Sequence, residues 1–150
     1  MLIRNILEES VRKFDEVKAV KWLKKKEIME RSYGELMENV VSTRKGLLAE
    51  GFEGKHIALI GTSSVEWMES YLGIITGRTT AVPLDAALPC EDLIDLLNRS
   101  DSVALFLSPK LKPYLDAFLE NCPKLQKVWM LQEEVEDAPA KVYGIGELRN

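Results

Sequence analysis

Four short runs, residues 57–60, 81–84, 103–107 and 128–131, are almost wholly apolar, and segments of helical periodicity separate them. A strand with one wet face alternates apolar with polar side chains. An unbroken apolar run therefore needs cover on both faces. Strands that alternate with helices in this way build an α/β fold: a parallel sheet with helices on both faces and right-handed crossovers. With 46% hydrophobic residues in 150, the chain has enough apolar material for one such core.

The helices carry their own start and stop signals. Ser32 precedes Glu35 by three residues, a capping box in which the hydroxyl takes one free N–H and the carboxylate reaches back to another. The helix it opens buries Leu36, Met37, Val40, Leu47 and Leu48 and stops at Gly51. Ser63 and Glu66 have the same spacing and open a helix through Trp67, Met68, Leu72 and Ile75 to Gly77. Pro89 starts a third through Leu93, Leu96 and Leu97. Ser108 and Pro109 cap a fourth through Leu111, Leu115 and Leu119. Ahead of this pattern, residues 2–14 read as an amphipathic helix with Ile3, Ile6, Leu7, Val11 and Phe14 on one side. Residues 17–23 and 27–31 read as a hairpin turning at Lys24, Lys25 and Lys26. The organisation expected is one truncated unit: helix plus hairpin over 1–31, the alternating sheet over 32–132, and an acidic segment and tail over 133–150.

Chemistry is sparse. In an open parallel sheet, ligands bind beyond the carboxyl ends of the strands, which points to residues 61–64, 84–88, 108–110 and 132 onward. Gly61 is the only glycine in the first of these, so neither a dinucleotide fingerprint nor a P-loop is present. Thr62, Ser63 and Ser64 could receive an anion at a helix N-terminus, although capping accounts for them as well. Asp85 follows a strand without the companion carboxylates of a phosphorylation site. His56 is the sole histidine and begins a strand, at the end opposite the expected ligand side, so no serine–histidine pair is available. Cys90 and Cys122 share no metal-ligand spacing, which excludes an ordinary structural zinc site. Glu66, Glu69, Asp92 and Asp95 fall on helix faces where solvation accounts for them. Gly73 and Gly77 read as a close helix contact, and the lysine run as a solvated hairpin tip. No catalytic, cofactor-binding or metal-binding residue is assigned.

The net charge of −4 argues against a nucleic-acid partner. No apolar stretch approaches the ~20 residues that cross a bilayer, and no secretory h-region opens the chain. Two isolated thiols fit a reducing compartment, so the expected location is the cytoplasm.

Two segments are familiar in their order. Ser32-Tyr33-Gly34-Glu35-Leu36 resembles the Thr/Ser-Tyr-x-Glu-Leu element that opens the adenylate-forming superfamily of acyl-CoA synthetases, luciferases and peptide-synthetase adenylation domains. Tyr71-Leu72-Gly73-Ile74-Ile75-Thr76-Gly77, running into Ala81-Val82-Pro83-Leu84-Asp85, resembles that superfamily's next helix and its strand ending in Pro-Leu-Asp. Gly54 to Ile60, Glu66-Trp67, Leu88-Pro89, Asp92-Leu93 and Ala104-Leu105-Phe106 continue the likeness, which is nearest to bacterial long-chain acyl-CoA synthetases. Lys55-His56 and Arg78-Thr79-Thr80 depart from the pattern.

The resemblance implies the N-terminal subdomain of an enzyme that joins a fatty acid to coenzyme A through an acyl-adenylate, using ATP and Mg2+. The superfamily's Ser/Thr/Gly-rich phosphate loop ending in Pro-Lys does not occur in this sequence, nor do its later ribose-binding aspartate and C-terminal lysine. The implied role is a scaffold, inactive alone, with no cofactor of its own and the remainder of the parent enzyme as partner. The alternative is a stand-alone interaction module that pairs with a partner or with itself through an exposed sheet edge.

Overall fold

A computed structural model describes residues 2–150. Helix α1 spans Ile3–Phe14 and precedes the antiparallel hairpin of β1, Lys18–Lys24, and β2, Glu27–Ser32. Then come α2 (Tyr33–Ala49), β3 (His56–Ile60), α3 (Val65–Ile75), β4 (Thr80–Leu84), α4 (Cys90–Arg99) and β5 (Ser102–Leu107). A 3-10 turn at Pro109–Tyr114 leads into α5, Leu115–Asn121. The chain closes with β6 (Lys127–Met130), β7 (Val142–Gly144) and α6 (Ile145–Arg149). Strands β3 to β7 form one parallel sheet in the order β4-β3-β5-β6-β7.

Both faces of that sheet are covered. Successive side chains in a strand point to opposite faces. Thus Ala58 and Ile60, Leu105 and Leu107, and Val128 and Met130 meet α4 and α5 through Leu93, Leu97 and Phe118. Their neighbours Ile57 and Leu59, Ala104 and Phe106, and Trp129 and Leu131 pack against Leu47, Ile74, Ile145 and Leu148 from α2, α3 and α6. The continuous apolar runs are therefore two interleaved faces, each buried. Pro83 cannot donate a ladder hydrogen bond and is placed on β4, an edge strand.

The hairpin turns on Lys25 and Lys26 alone, with φ of 48° and 69°, the pairing of positive angles that suits the strand twist. Lys24 belongs to β1 and pairs with Glu27. Ser32 and Glu35 form the expected capping box: the Glu35 N–H donates to the Ser32 hydroxyl at 3.1 Å and the Ser32 N–H to the Glu35 carboxylate at 3.0 Å. Ser32→Ala removes half of that box and is expected to cost about 1 kcal/mol, read from the urea midpoint. Gly51, at φ +81°, ends α2 in the left-handed conformation.

Several local expectations need correction. On α2 the buried stripe is Leu36, Val40, Thr43 and Leu47, while Leu48, one residue further round the helix, is 55% exposed. The cap of α3 is Ser64, whose hydroxyl accepts from the Trp67 N–H at 3.1 Å; Ser63 is one residue early. Pro89 occupies the cap position of α4 and not the first turn. Ser108 holds the cap position of the turn that follows it, with Pro109 next, but its side chain makes no cap hydrogen bond there. On α1 no residue is buried: of its apolar stripe Ile3, Ile6 and Phe14 are exposed and only Leu7 and Val11 are half-buried, because the helix touches little besides α2. Regular structure also continues past Leu131, where β7 and α6 bury Val142, Ile145 and Leu148 in the core. Among the described residues no helix is long and apolar enough to cross a membrane.

Candidate functional site

Strands β3, β5 and β6 end level with one another, since Ile60 is in register with Leu107 and Leu107 with Met130. The segments leaving those ends are stitched together. The Ser108 N–H donates to the Ile60 carbonyl at 3.0 Å, and the Leu131 N–H to the Leu107 carbonyl at 2.9 Å. The buried Ser108 hydroxyl accepts from the Thr62 N–H at 3.2 Å. Gly61 makes this closure possible, for a Cβ there would lie 3.1 Å from Ser108 Cβ and 3.2 Å from the Trp67 ring.

Above the stitching lies an open cleft of about 490 Å³. Thr62 and Ser64 form one wall, Ser108 and Lys110 a second, and Gln132 and Glu133 a third. Three of the four segments singled out from the sequence thus meet in one place. The fourth does not: Asp85 is on the β4 side, where its carboxylate accepts from the Ala87 N–H at 2.9 Å and makes a local turn. The hairpin contributes Lys24 to the cleft, and α3 contributes Glu66. Two lysines thus face two carboxylates, and the charged side chains of the walls balance. Among the described residues no three His, Cys, Asp or Glu side chains come together as a metal site. His56 is at the far end of β3, exposed, with Nδ1 2.6 Å from the Ser100 carbonyl.

A second constellation went unread in the sequence. Glu69 is fully buried, not solvated on a helix face. Its carboxylate accepts from the Asn39 amide at 2.8 Å and lies 3.4 Å from Arg31 Nε and 3.9 Å from Arg149 Nη1. Arg149 also donates from Nε to the buried Thr43 hydroxyl at 3.0 Å. One carboxylate therefore ties β2, α2, α3 and α6 together. Burial pushes its pKa up, against the lowering pull of Asn39, Arg31 and Arg149; burial likewise lowers that of Arg149. The signal was available: Val65, Glu69 and Gly73 recur every four residues, the spacing of one helix face. Gly73 on that face confirms the expected close contact, because a Cβ there would come 2.7 Å from Thr43. The hub is remote from solvent and holds elements in place.

Four likenesses bear on what this scaffold is. A family model described as AMP-binding enzyme matches residues 7–146. A CoA ligase from Gibberella moniliformis is 30% identical over 84 residues, which cover 52% of this chain and 14% of that protein. Coronafacic acid ligase from Pectobacterium brasiliense superposes with a TM-score of 0.85 at 20% identity, over 99% of this chain and 29% of its own. The anthranilate CoA ligase AuaEII, solved with anthranoyl-AMP, superposes with a TM-score of 0.76 at 18% identity, over 87% of this chain and 25% of its own. The chain thus spans well under half of each of these relatives.

Proposed function

The chain belongs to the AMP-binding enzyme family, and from that membership we propose that it forms the N-terminal part of an acyl-CoA ligase. In the complete protein a carboxylate attacks the α-phosphate of ATP, pyrophosphate leaves, and the thiolate of coenzyme A then displaces AMP from the acyl carbon. Long-chain fatty acids are the proposed substrate and the cytoplasm the proposed location. The observation that carries the reading is the family match across residues 7–146.

Within that protein this chain is a scaffold. Adenylation depends on fixed cationic groups around the transferring phosphoryl. The charge-balanced cleft walls support placing ATP, Mg2+ and coenzyme A on residues outside 2–150. What these residues supply is shape. Ser64 fixes the start of α3, Ser108 locks the β3 and β5 ends together, and Lys24 brings the hairpin to the rim. The partner is the rest of the enzyme. It would also cover the hairpin, where Leu23 and Ile28 pair across the strands at 71% and 72% exposure.

Pyrophosphate release separates the possibilities. The 150-residue chain with ATP, Mg2+ and palmitate should release none, while the complete protein that contains it should release pyrophosphate and form a coenzyme A thioester. Turnover by the chain alone, or a complete protein silent with acids of every length, would overturn the proposal.

A further inference from the structure

At the end of the sheet opposite the cleft, where Glu53 precedes β3 and Gly77 to Thr79 lead into β4, there is a separate cavity of about 170 Å³. Leu47, Leu48, Gly77 and Thr79 give it a largely apolar floor. Arg4 from α1, Arg44 and Lys45 from α2, and Arg78 form its rim, with Glu53 the only carboxylate. Four cations thus face one acid in a chain whose overall charge is −4. Arg78 is paired with Glu53 at 2.8 Å and Arg4 with Glu8 at 2.9 Å. Among the described residues, Arg44 and Lys45 have no carboxylate within ion-pair distance.

Arg44 is the informative group. Its stem lies across Gly77, where a Cβ would come within 3.1 Å of it, so a glycine clears the path for this side chain. Among the described residues its one hydrogen bond is a long 3.5 Å approach to the Thr76 carbonyl, at the limit of such a bond. Burial and the neighbouring Arg4 both lower its pKa, and Glu8 offsets them only in part. An anion placed here would relieve that crowding. A guanidinium takes a carboxylate through two parallel hydrogen bonds, and an apolar cavity of about 150 Å³ holds a benzene-sized body.

We propose that this cavity is a binding site for a small monocarboxylate with a benzene-sized apolar body, its carboxylate on Arg44 and its body on Leu48. The site is distinct from the cleft at the carboxyl ends of the strands and does not depend on the proposed ligase activity.

Amide chemical-shift titration of the 150-residue chain with benzoate, benzyl alcohol and acetate tests it. Benzoate should saturate with shifts centred on Leu48, Gly77 and Thr79, and the other two should bind at least about tenfold more weakly, lacking the charge or the body. Arg44→Gln should weaken benzoate about tenfold. Leu48→Glu, at a floor position exposed enough not to threaten folding, should weaken it by repulsion. No saturation by about 10 mM, equal binding of benzyl alcohol, shifts centred elsewhere, or indifference to both substitutions would overturn the proposal.

Discussion

Glu69→Ala is expected to lower stability by about 3 kcal/mol at neutral pH, because removing one partner from a buried ionic cluster leaves the others without compensation. The loss has three parts. The Asn39 amide loses its acceptor, the Arg31 and Arg149 guanidiniums lose their counter-charge, and a void opens between α2 and α3. Urea unfolding reads the sum. Glu69→Gln keeps the volume and an oxygen toward Asn39, so it separates shape from charge and should cost far less. A substitution to alanine with no loss of stability would show that the four elements hold without the carboxylate.

The pH dependence of the same pair follows from burial. The fold raises the pKa of Glu69, so the native state binds a proton more tightly than the unfolded chain does. Between the ordinary carboxylate value and the raised one, ν for the native state exceeds that for the unfolded state, and stability falls as pH rises. The contribution is complete below the ordinary value and is lost through the raised folded value. Glutamine does not titrate. The wild-type midpoint should therefore decline relative to Glu69→Gln as pH climbs through that window, so that the cost of the glutamine is largest in acid and shrinks toward neutral pH. A difference that stays flat with pH would mean that Arg31 and Arg149 fully offset the burial.

The helices and strands of residues 32–131 were legible because two periodicities alternate there and serine caps mark the joins. Two of the misses have a contact distant in sequence as their cause. Ser108 reads as a helix cap from its neighbours alone, but its hydroxyl serves the N–H of Thr62, 46 residues away. Glu69 reads as solvated because a charge on a helix usually is; Asn39, Arg31 and Arg149 come from three other elements. The three-residue β7 is too short to show a pattern. The meeting of residues 62–64, 108–110 and 132–133 at one cleft followed from the parallel-sheet rule. Half of the charges on its walls did not, since Lys24 and Glu66 reach that cleft from the hairpin and from α3.

Gly144→Ala is expected to destabilise the chain by about 3 kcal/mol although it adds one carbon, at the upper end of what overpacking costs. Most added methyl groups meet side chains that can turn away. A Cβ at Gly144 meets backbone: it would overlap the Glu133 carbonyl oxygen and lie 2.7 Å from its carbon and 2.9 Å from the Gln132 carbonyl oxygen. Those peptides cannot rotate freely, for the Ile145 N–H donates to the Gln132 carbonyl at 2.9 Å and the Gly146 N–H to that of Glu133 at 3.1 Å. Relief requires residues 132–133 to move, and they are one wall of the cleft. The substitution should thus lower the urea midpoint and shift the Gln132 and Glu133 amides together. Gly51→Ala is the control: nothing lies within 4 Å of its Cβ, so only the left-handed backbone opposes it, at about 1 kcal/mol. If Gly144→Ala proved no worse than Gly51→Ala, the close approach of β7 and α6 to the cleft wall would not be what holds that wall.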